Sequence, residues 1–450
     1  MSLTVFSPKS MNSTFWNEYT ETMPREQLDA IHLKRIQKML RYAYDRVPFY
    51  RELYQKVGLK PEDIRTLDDF NRLVPSIDKK DIVEAQQVSP PWGKASALPD
   101  DFNLYRFQTS GSTGIPMGIP VSYYSSHHYG EQWTYGFWGV GIRPRDSFYF
   151  AFAWGTFIGF WSAYWGVRRL GSTVYSGGGF TTEMRLKQIL EYQPTVLICT
   201  PTYALYMAEK ARELGIDLPA TSIQYTYHAG EPGGNVPATR KAIEEAWGAK
   251  TYELYGIGEV GAIAPGCPHQ LGVHLAEDQA YATVVSPETG APVNPGEVGE
   301  NLVTSYIQFS QPLIKYRSHD LVRPVYDKCS CGRTWLLYKD GVLGRSDHMI
   351  IIKGANVYPT AIETLLGDVR GLSPNYEIHV SSGHLNDEIT VKVESAVDVS
   401  SSDYPTLQKN AERVLYDKIL VRIGVEIHKP GALPRYELKA KRFFDHRQGH

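Results

Sequence analysis

Residues 195–215 read TVLICTPTYALYMAEKARELG. TVLICT (195–200) is a short uncharged run of the kind that forms a buried strand, and YALYMAEKARELG (203–215) reads as the helix that follows it. The same strand-like signal recurs on both sides, in SFYFAFAW (147–154), STVYS (172–176) and IQYTYHA (223–229), with RLKQILEY (185–192) as another helix between. Strands alternating with helices from about 100 to 265 predict a mainly parallel sheet with helices on its faces.

Further out the pattern changes. In REQLDAIHLKRIQKMLRYAYDRVPFYRELY (25–54), Leu28, Ile31, Ile36, Met39, Leu40 and Ala43 fall near helical spacing, so amphipathic helices broken at Pro48 are expected. Between 280 and 345 the turns crowd together (SPETG, NPGEVGE, DKCSCG), which predicts a β-rich subdomain. After GRSDHM (344–349) come MIIIKG, a helix from Tyr358, YEIHV, EITVKVES, a helix over about 404–420, and VEIHK: a compact α+β unit. The expected fold class is therefore α/β. A large N-terminal domain, 1–346, has parallel sheets flanked by helices plus the β-rich part, and a small mobile α+β domain covers 347–450. No low-complexity linker separates them, and a short junction suits a hinge.

A chain of 450 residues exceeds the roughly 250–300 at which one core stops growing. Hydrophobic content of 42% and charged content of 21% fit a globular protein, and a net charge of −2 gives no reason to expect a nucleic acid or an anionic membrane as partner. No apolar run reaches the ~18 residues of a membrane span. The N-terminus lacks the pattern of a secretion signal, and four cysteines make no disulfide scaffold, so a cytoplasmic location is expected.

The stretch 106–116, RFQTSGSTGIP, sets flexible hydroxylated backbone after an apparent strand. It lacks the lysine of a Walker loop, yet a Gly-Ser-Thr-Gly run can still wrap phosphates with backbone N–H groups and hydroxyls. Residues 256–261, GIGEVG, match a dinucleotide fingerprint with Asp278 at a suitable distance. Glu259 argues against that reading, because its charge would repel a pyrophosphate unless a divalent cation stood between them. Read instead as Tyr255-Gly256-x-x-Glu259, the segment offers an aromatic face for a base and a carboxylate for Mg²⁺. In YRSHDL (316–321), Asp320 can take both hydroxyls of a ribose. Cys267-Pro268-His269, His274 and Cys329-Ser330-Cys331 combine thiolates with imidazole, a set that suits structural zinc; reduced cysteines in a turn region are the plainer alternative. Cys199, within a strand, is expected to be inert core.

Taken in order with GRSD (344–347) and the tail PRYELKAKR (434–442), these motifs resemble the adenylate-forming superfamily of acyl-CoA synthetases, luciferases and adenylation domains. The nearest branch is similar to phenylacetate–CoA ligase, from YAYDRVPFYRELY through TSGSTGIP, STVYSGGG, TPTY, HAGEP, YGIGE, YRSHDL, CSCGR and GRSDHMIIIKGANVYP to that tail, over about 400 residues.

The resemblance implies an ATP-dependent ligase working in two steps. A carboxylate attacks the α-phosphorus to give acyl-AMP and pyrophosphate; a thiol, usually coenzyme A, then takes the acyl group. On the matching positions, Thr109, Ser110, Ser112 and Thr113 with Gly111 and Gly114 would hold the β- and γ-phosphates. Glu259 would hold Mg²⁺. Tyr255 and Gly256, with the Gly230-Glu231-Pro232 strip, would lie by the adenine; Asp320 would bind the ribose, and Arg345 the ribose or phosphate. Lys439 would bridge phosphate and substrate carboxylate. Asp347 matches the hinge, about which the small domain would turn to bring Lys353-Gly354-Ala355-Asn356 near the thiol. Cys267, His274, Cys329 and Cys331 would carry zinc, as relatives on this branch do.

The chain also departs from the family. Met117 stands where many relatives have lysine, and bulky Tyr436 and Leu438 flank the tail. Lys441 lies two residues beyond Lys439, which is preferred, and His348 replaces an acidic residue beside the hinge. The aromatic segments 123–140 and 152–161 would face the acid in this family, which suggests an aromatic carboxylic acid; His127, His128 and Tyr135 could read a ring substituent or simply lie at the surface. The expected ligands are thus the acid, ATP or AMP with Mg²⁺, coenzyme A and a structural zinc. A homodimer is one option for the assembly. Passage of the acyl group to an amine or carrier-protein thiol, a scaffold with a decayed site, and a nicotinamide oxidoreductase are the competing readings.

Overall fold

The computed structural model describes residues 8–109, 116–346, 350–352, 355–357, 359–382, 387–436 and 441–447. The chain divides into two compact units: Met1–Gly179, Pro194–Ile198 and Tyr252–Val342 in one, and Phe180–Gln193, Cys199–Thr251 and Leu343–His450 in the other.

In the first unit the helix Arg25–Arg46 buries Leu28, Ile36, Met39, Leu40 and Ala43. Val47 is extended, and Pro48 opens a new helix, Pro48–Lys56, because proline fits a first turn but not a helix interior. This N-terminal layer packs on the far end of the unit. Arg25 holds Glu277 through both guanidinium nitrogens, at 2.5 and 2.9 Å, and reaches the carbonyl of Thr334 at 2.7 Å. Tyr50 donates to the carbonyl of Pro312 at 2.9 Å.

Strands Asn103–Gln108 and Gly118–Ser122 form an antiparallel hairpin. Its second strand runs into the helix Tyr123–Gly139, which crosses the helix Ile158–Leu170 at Gly130 and Gly166. A Cβ on Gly166 would stand 2.6 Å from that of Trp133, so only glycine permits this approach. Strand Ser147–Phe150 pairs in parallel with both Thr173–Ser176 and Val196–Cys199, as the alternating pattern implies. Five strands make the β-rich part, in the order Gly272–His274, Leu337–Arg345, Tyr316–Val325, Gly299–Ser305, Ala280–Val285.

In the second unit, the strand Tyr225–His228 lies among the helices Thr182–Tyr192, Pro201–Glu213 and Pro237–Trp247. Its C-terminal part has a core of its own, including Ile362, Ile378, Val391, Ala411 and Leu415. There the strand order is Gly424–His428, Asp387–Ser395, Leu372–Ser382, Phe443–Asp445, with the helices Pro359–Gly367 and Tyr404–Ile419 alongside. Among the described residues no helix is long and apolar enough to cross a membrane.

Candidate active site

The dinucleotide-like stretch is not a strand–turn–helix. Strands Tyr255–Ile257 and Gly261–Ala264 pair antiparallel, so GIGEVG is a tight hairpin with Glu259 in its turn. Gly261 adopts φ +121, and a Cβ there would overlap the ring of Tyr129. The glycine therefore serves close packing rather than a pyrophosphate. Asp278, the apparent ribose ligand of that decoy, instead accepts the hydroxyl of Tyr135 at 2.5 Å. Tyr135 is buried, not a surface residue.

Glu259 is 9% exposed, its backbone carbonyl accepts from Gln308 Nε2 at 2.9 Å, and no basic side chain among the described residues pairs with it. A carboxylate held without a cationic partner is the kind of oxygen donor Mg²⁺ takes, and Mg²⁺ usually asks the protein for only one or two. The hydroxyl of Tyr255 donates to Asp320 Oδ2 at 2.8 Å and receives Asn301 Nδ2 at 3.3 Å. Burial first, and then the Asp320 charge, push the Tyr255 phenol well above its ordinary value, so it stays a donor. His319, just before Asp320, sits at φ +61 beside an irregularity in the pairing with Gly299–Ser305. Its ring lies 2.9 Å from Asp78, while Arg317 grips Glu300 at 2.6 and 3.1 Å. A kink in a strand is a common way to re-aim one side chain; here it turns the His319 ring toward Asp78.

Thr109 closes the base of the hydroxylated loop. Its N–H donates to the Met117 carbonyl and its Oγ1 accepts from the Met117 N–H, both at 3.0 Å. Met117 itself is fully buried in the core, which accounts for an apolar residue there. Ser110, Gly111, Ser112, Thr113, Gly114, Asp347, Gly354 and Lys439 lie outside the described residues.

In the second unit, Gly230, Glu231 and Pro232 follow the strand Tyr225–His228, and Glu231 Oε1 accepts from the N–H of Thr202 at 3.0 Å, at the start of the helix Pro201–Glu213. Arg345 ends the strand Leu337–Arg345. Sequence reasoning missed Arg442, beyond the tail lysines. Its guanidinium binds Glu363 and Thr202 Oγ1, each at 3.1 Å, and lies 4.5 Å from the ring of Tyr376. No local motif announces that network, since Thr202 and Arg442 are 240 positions apart.

Cys267, His274, Cys329 and Cys331 do come together: one ligand atom from each lies within 4.8 Å of all the others. Cys267 Sγ is 3.8 Å from Cys329 Sγ, and Cys331 Sγ is 3.4 Å from His274 Nε2. Tetrahedral zinc with its usual bond lengths requires about 3.8 and about 3.6 Å for such pairs. His274 Nδ1 lies 3.2 Å from the Trp335 carbonyl; donation there leaves Nε2 as the ligand atom. The hydrogen bond from Cys267, and then His274, hold the Cys331 thiol far below the ordinary thiol range. Buried Arg333 donates to Cys331 at 3.8 Å and pairs with Glu21 at 2.7 Å, tying the knuckle to the N-terminal layer. The residues fit a structural zinc.

Two family matches cover most of the chain: AMP-binding enzyme over residues 21–310, and AMP-binding enzyme C-terminal domain over residues 354–447. The chain belongs to the AMP-binding enzyme family. Within it, the phenylacetate–coenzyme A ligase of Thermus thermophilus is 32% identical over 93% of this chain and 96% of its own, and that of Escherichia coli 30% identical over 94% and 96%. A solved structure of 2-hydroxyisobutyryl-CoA ligase with 2-HIB-AMP, in the postadenylation state, matches with a TM-score of 0.91 at 29% identity, covering 96% of this chain and 93% of that one.

Proposed function

We propose that this chain is an acid–thiol ligase that activates an aromatic carboxylic acid with ATP to acyl-AMP and passes the acyl group to coenzyme A. The observation that carries the reading is the site in the first unit. Glu259 presents a carboxylate with no cationic partner among the described residues, and Asp320 is braced by Tyr255, in a chain similar over nearly its whole length to proteins named coenzyme A ligases. ATP supplies the leaving group. The acid's oxygen attacks the α-phosphorus and the bond to pyrophosphate breaks, which draws two anions together and calls for fixed positive charge and donors. On the family resemblance, Lys439 and Arg345 are the cationic side chains assigned to this, the Thr109–Gly114 loop is assigned to the phosphates, and Tyr255, Gly256 and Gly230–Pro232 are assigned to the base. When bound, Mg²⁺ on Glu259 would offset phosphate charge, and zinc on the four Cys and His ligands would be structural.

The aromatic acid is favoured by a cluster of rings: Trp154 stacks on Phe150, with centroids 5.6 Å apart, and contacts Trp161 at 5.0 Å and Tyr164 at 5.8 Å. An aliphatic hydroxy acid is the second reading, favoured by the 2-HIB-AMP complex of the structural neighbour. Residues 347–450 are read as a domain turning about Asp347, because most of that span has its own hydrophobic core and its own family match. A cytoplasmic setting, where ATP and coenzyme A are supplied, goes with this function.

Pyrophosphate release screened over aryl, arylacetic and short hydroxy acids, with and without coenzyme A, tests the proposal. Acid-dependent release, with product in the presence of coenzyme A, is expected. Release without any coenzyme A product would move the acceptor to an amine or a carrier-protein thiol.

A further inference from the structure

Two arginines near the C-terminus reach the same face of one helix in the second unit. Arg435 holds Glu394 through Nη1 and Nη2, at 2.9 and 2.8 Å. Its other edge holds Glu209 through Nε and Nη2, at 2.8 and 3.2 Å. Arg442 is arranged in the same way: Nη1 donates to Glu363 and Nη2 to Thr202 Oγ1, each at 3.1 Å. Glu394 lies in the strand Asp387–Ser395 and Glu363 in the helix Pro359–Gly367, so each guanidinium is fixed within the C-terminal part before it reaches outward. The planar fork of arginine suits such two-sided contacts. Thr202 and Glu209 both lie on the helix Pro201–Glu213. Positions 202 and 209 are close to two whole turns apart, so the two side chains share one face, about 10 Å from each other along the axis. A third contact joins the same parts. A Cβ on Gly367 would stand 2.4 Å from that of Ala238, in the helix Pro237–Trp247. Cys199–Thr251 and Leu343–His450 accordingly belong to one compact unit.

The N–H of Thr202 donates to Glu231, in the Gly230–Pro232 strip assigned to the adenine. Lys439 falls between the two arginines in sequence, outside the described residues. We infer that Arg435 and Arg442 are positioning residues for acid activation: docked on Glu209 and Thr202, they hold the tail that carries Lys439 beside the nucleotide strip. That there is an acid to activate rests on the ligase reading above. A contact made in only one arrangement of the chain shifts the population toward that arrangement. These contacts therefore favour the half-reaction that uses Lys439 and contribute nothing to the one that does not.

The test measures both half-reactions in Glu209→Gln and Thr202→Val, which remove one partner from each arginine and leave the arginines in place. Acid-dependent pyrophosphate release should fall ~3-fold in each and ~10-fold in the double variant, the order expected for losing one partly exposed ion pair or hydrogen bond and then both. The loss should appear in kcat rather than in the KM for ATP. Thioester formation from pre-made acyl-adenylate should hold or rise. Thr202→Ser keeps the hydroxyl and should restore release. Gly367→Ala, which alters neither arginine, should show the same asymmetry because its methyl group meets Ala238. A merely structural role would lower both half-reactions together with the melting temperature. That result, or variants equal to wild type in both half-reactions, would overturn the positioning role while leaving the ligase reading intact. A wild type that releases no pyrophosphate with any acid sinks the ligase reading, and with it the step these arginines would serve.

Discussion

Tyr135 donates its hydroxyl to Asp278 at 2.5 Å, and the other carboxylate oxygen of Asp278 is buried without a partner among the described residues. Burial, and then the neighbouring charge of Glu131, push the Asp278 carboxyl from 3.8 up to about 7. Between those values the folded chain keeps a proton that the unfolded chain has lost, so stability falls as pH rises through that window, and the penalty is complete above it. Asp278→Asn should therefore be more stable than wild type at pH 8, by on the order of 2–4 kcal/mol, with the gain closing toward pH 4. Urea unfolding of both proteins at several pH values measures this. A difference that does not change with pH would show that the carboxyl is not held neutral.

Removing the Tyr255 hydroxyl leaves Asp320 without its brace. Tyr255→Phe should raise the KM for ATP about 3- to 10-fold with little change in kcat, since a single hydrogen bond contributes about 1 kcal/mol. Steady-state kinetics of pyrophosphate release decide it; a fall in kcat at constant KM would place Tyr255 in the chemical step instead.

The two tail lysines can be separated. The ammonium of Lys441 lies 4.9 Å from the Phe444 ring, an arrangement that accounts for it structurally. Lys439→Ala should lower acid-dependent pyrophosphate release ~10²-fold or more, while Lys441→Ala changes it little. Thioester formation from pre-made acyl-adenylate should survive both. The reverse pattern would shift the assignment by two residues.

Protein purified without added metal should hold about one zinc per chain by elemental analysis. Cys331→Ser should lose it and melt roughly 5–10 °C lower, as a site that joins separate strands contributes to folding. A metal-free preparation with wild-type melting behaviour would remove zinc from the description.

The strand–helix alternation was legible because local hydrophobic runs set it, and the C-terminal strands and helices fall where their patterns put them. The Cys/His cluster was legible in composition, but the pairing of Gly272–His274 with Leu337–Lys339 is what carries His274 toward Cys329 and Cys331. Local pattern failed where geometry depends on distant residues. GIGEVG matches a phosphate turn letter by letter, yet its last glycine answers to Tyr129, 132 positions earlier in the chain (261 − 129). The kink at His319 and the hydrogen bonds from Gln132 and Gln308 to the Tyr255–Ala264 hairpin have no signature at all, because glutamines and a histidine are ordinary in any sequence. The roles of the hydroxylated loop, Lys439 and the hinge rest on resemblance alone.

Arg25 reaches the carbonyl of Thr334 across 309 positions, and Tyr50 reaches Pro312 across 262. During synthesis at roughly 5–20 residues per second, the first helices therefore leave the ribosome roughly 15–60 s before the surface they cover exists. For that interval Ile36, Met39, Leu40 and Tyr50, all buried in the finished protein, are open to water or to other chains. Yield in a cell should thus respond to chaperone supply and translation speed more than the final stability alone would suggest, and a fragment ending before residue 312 should aggregate.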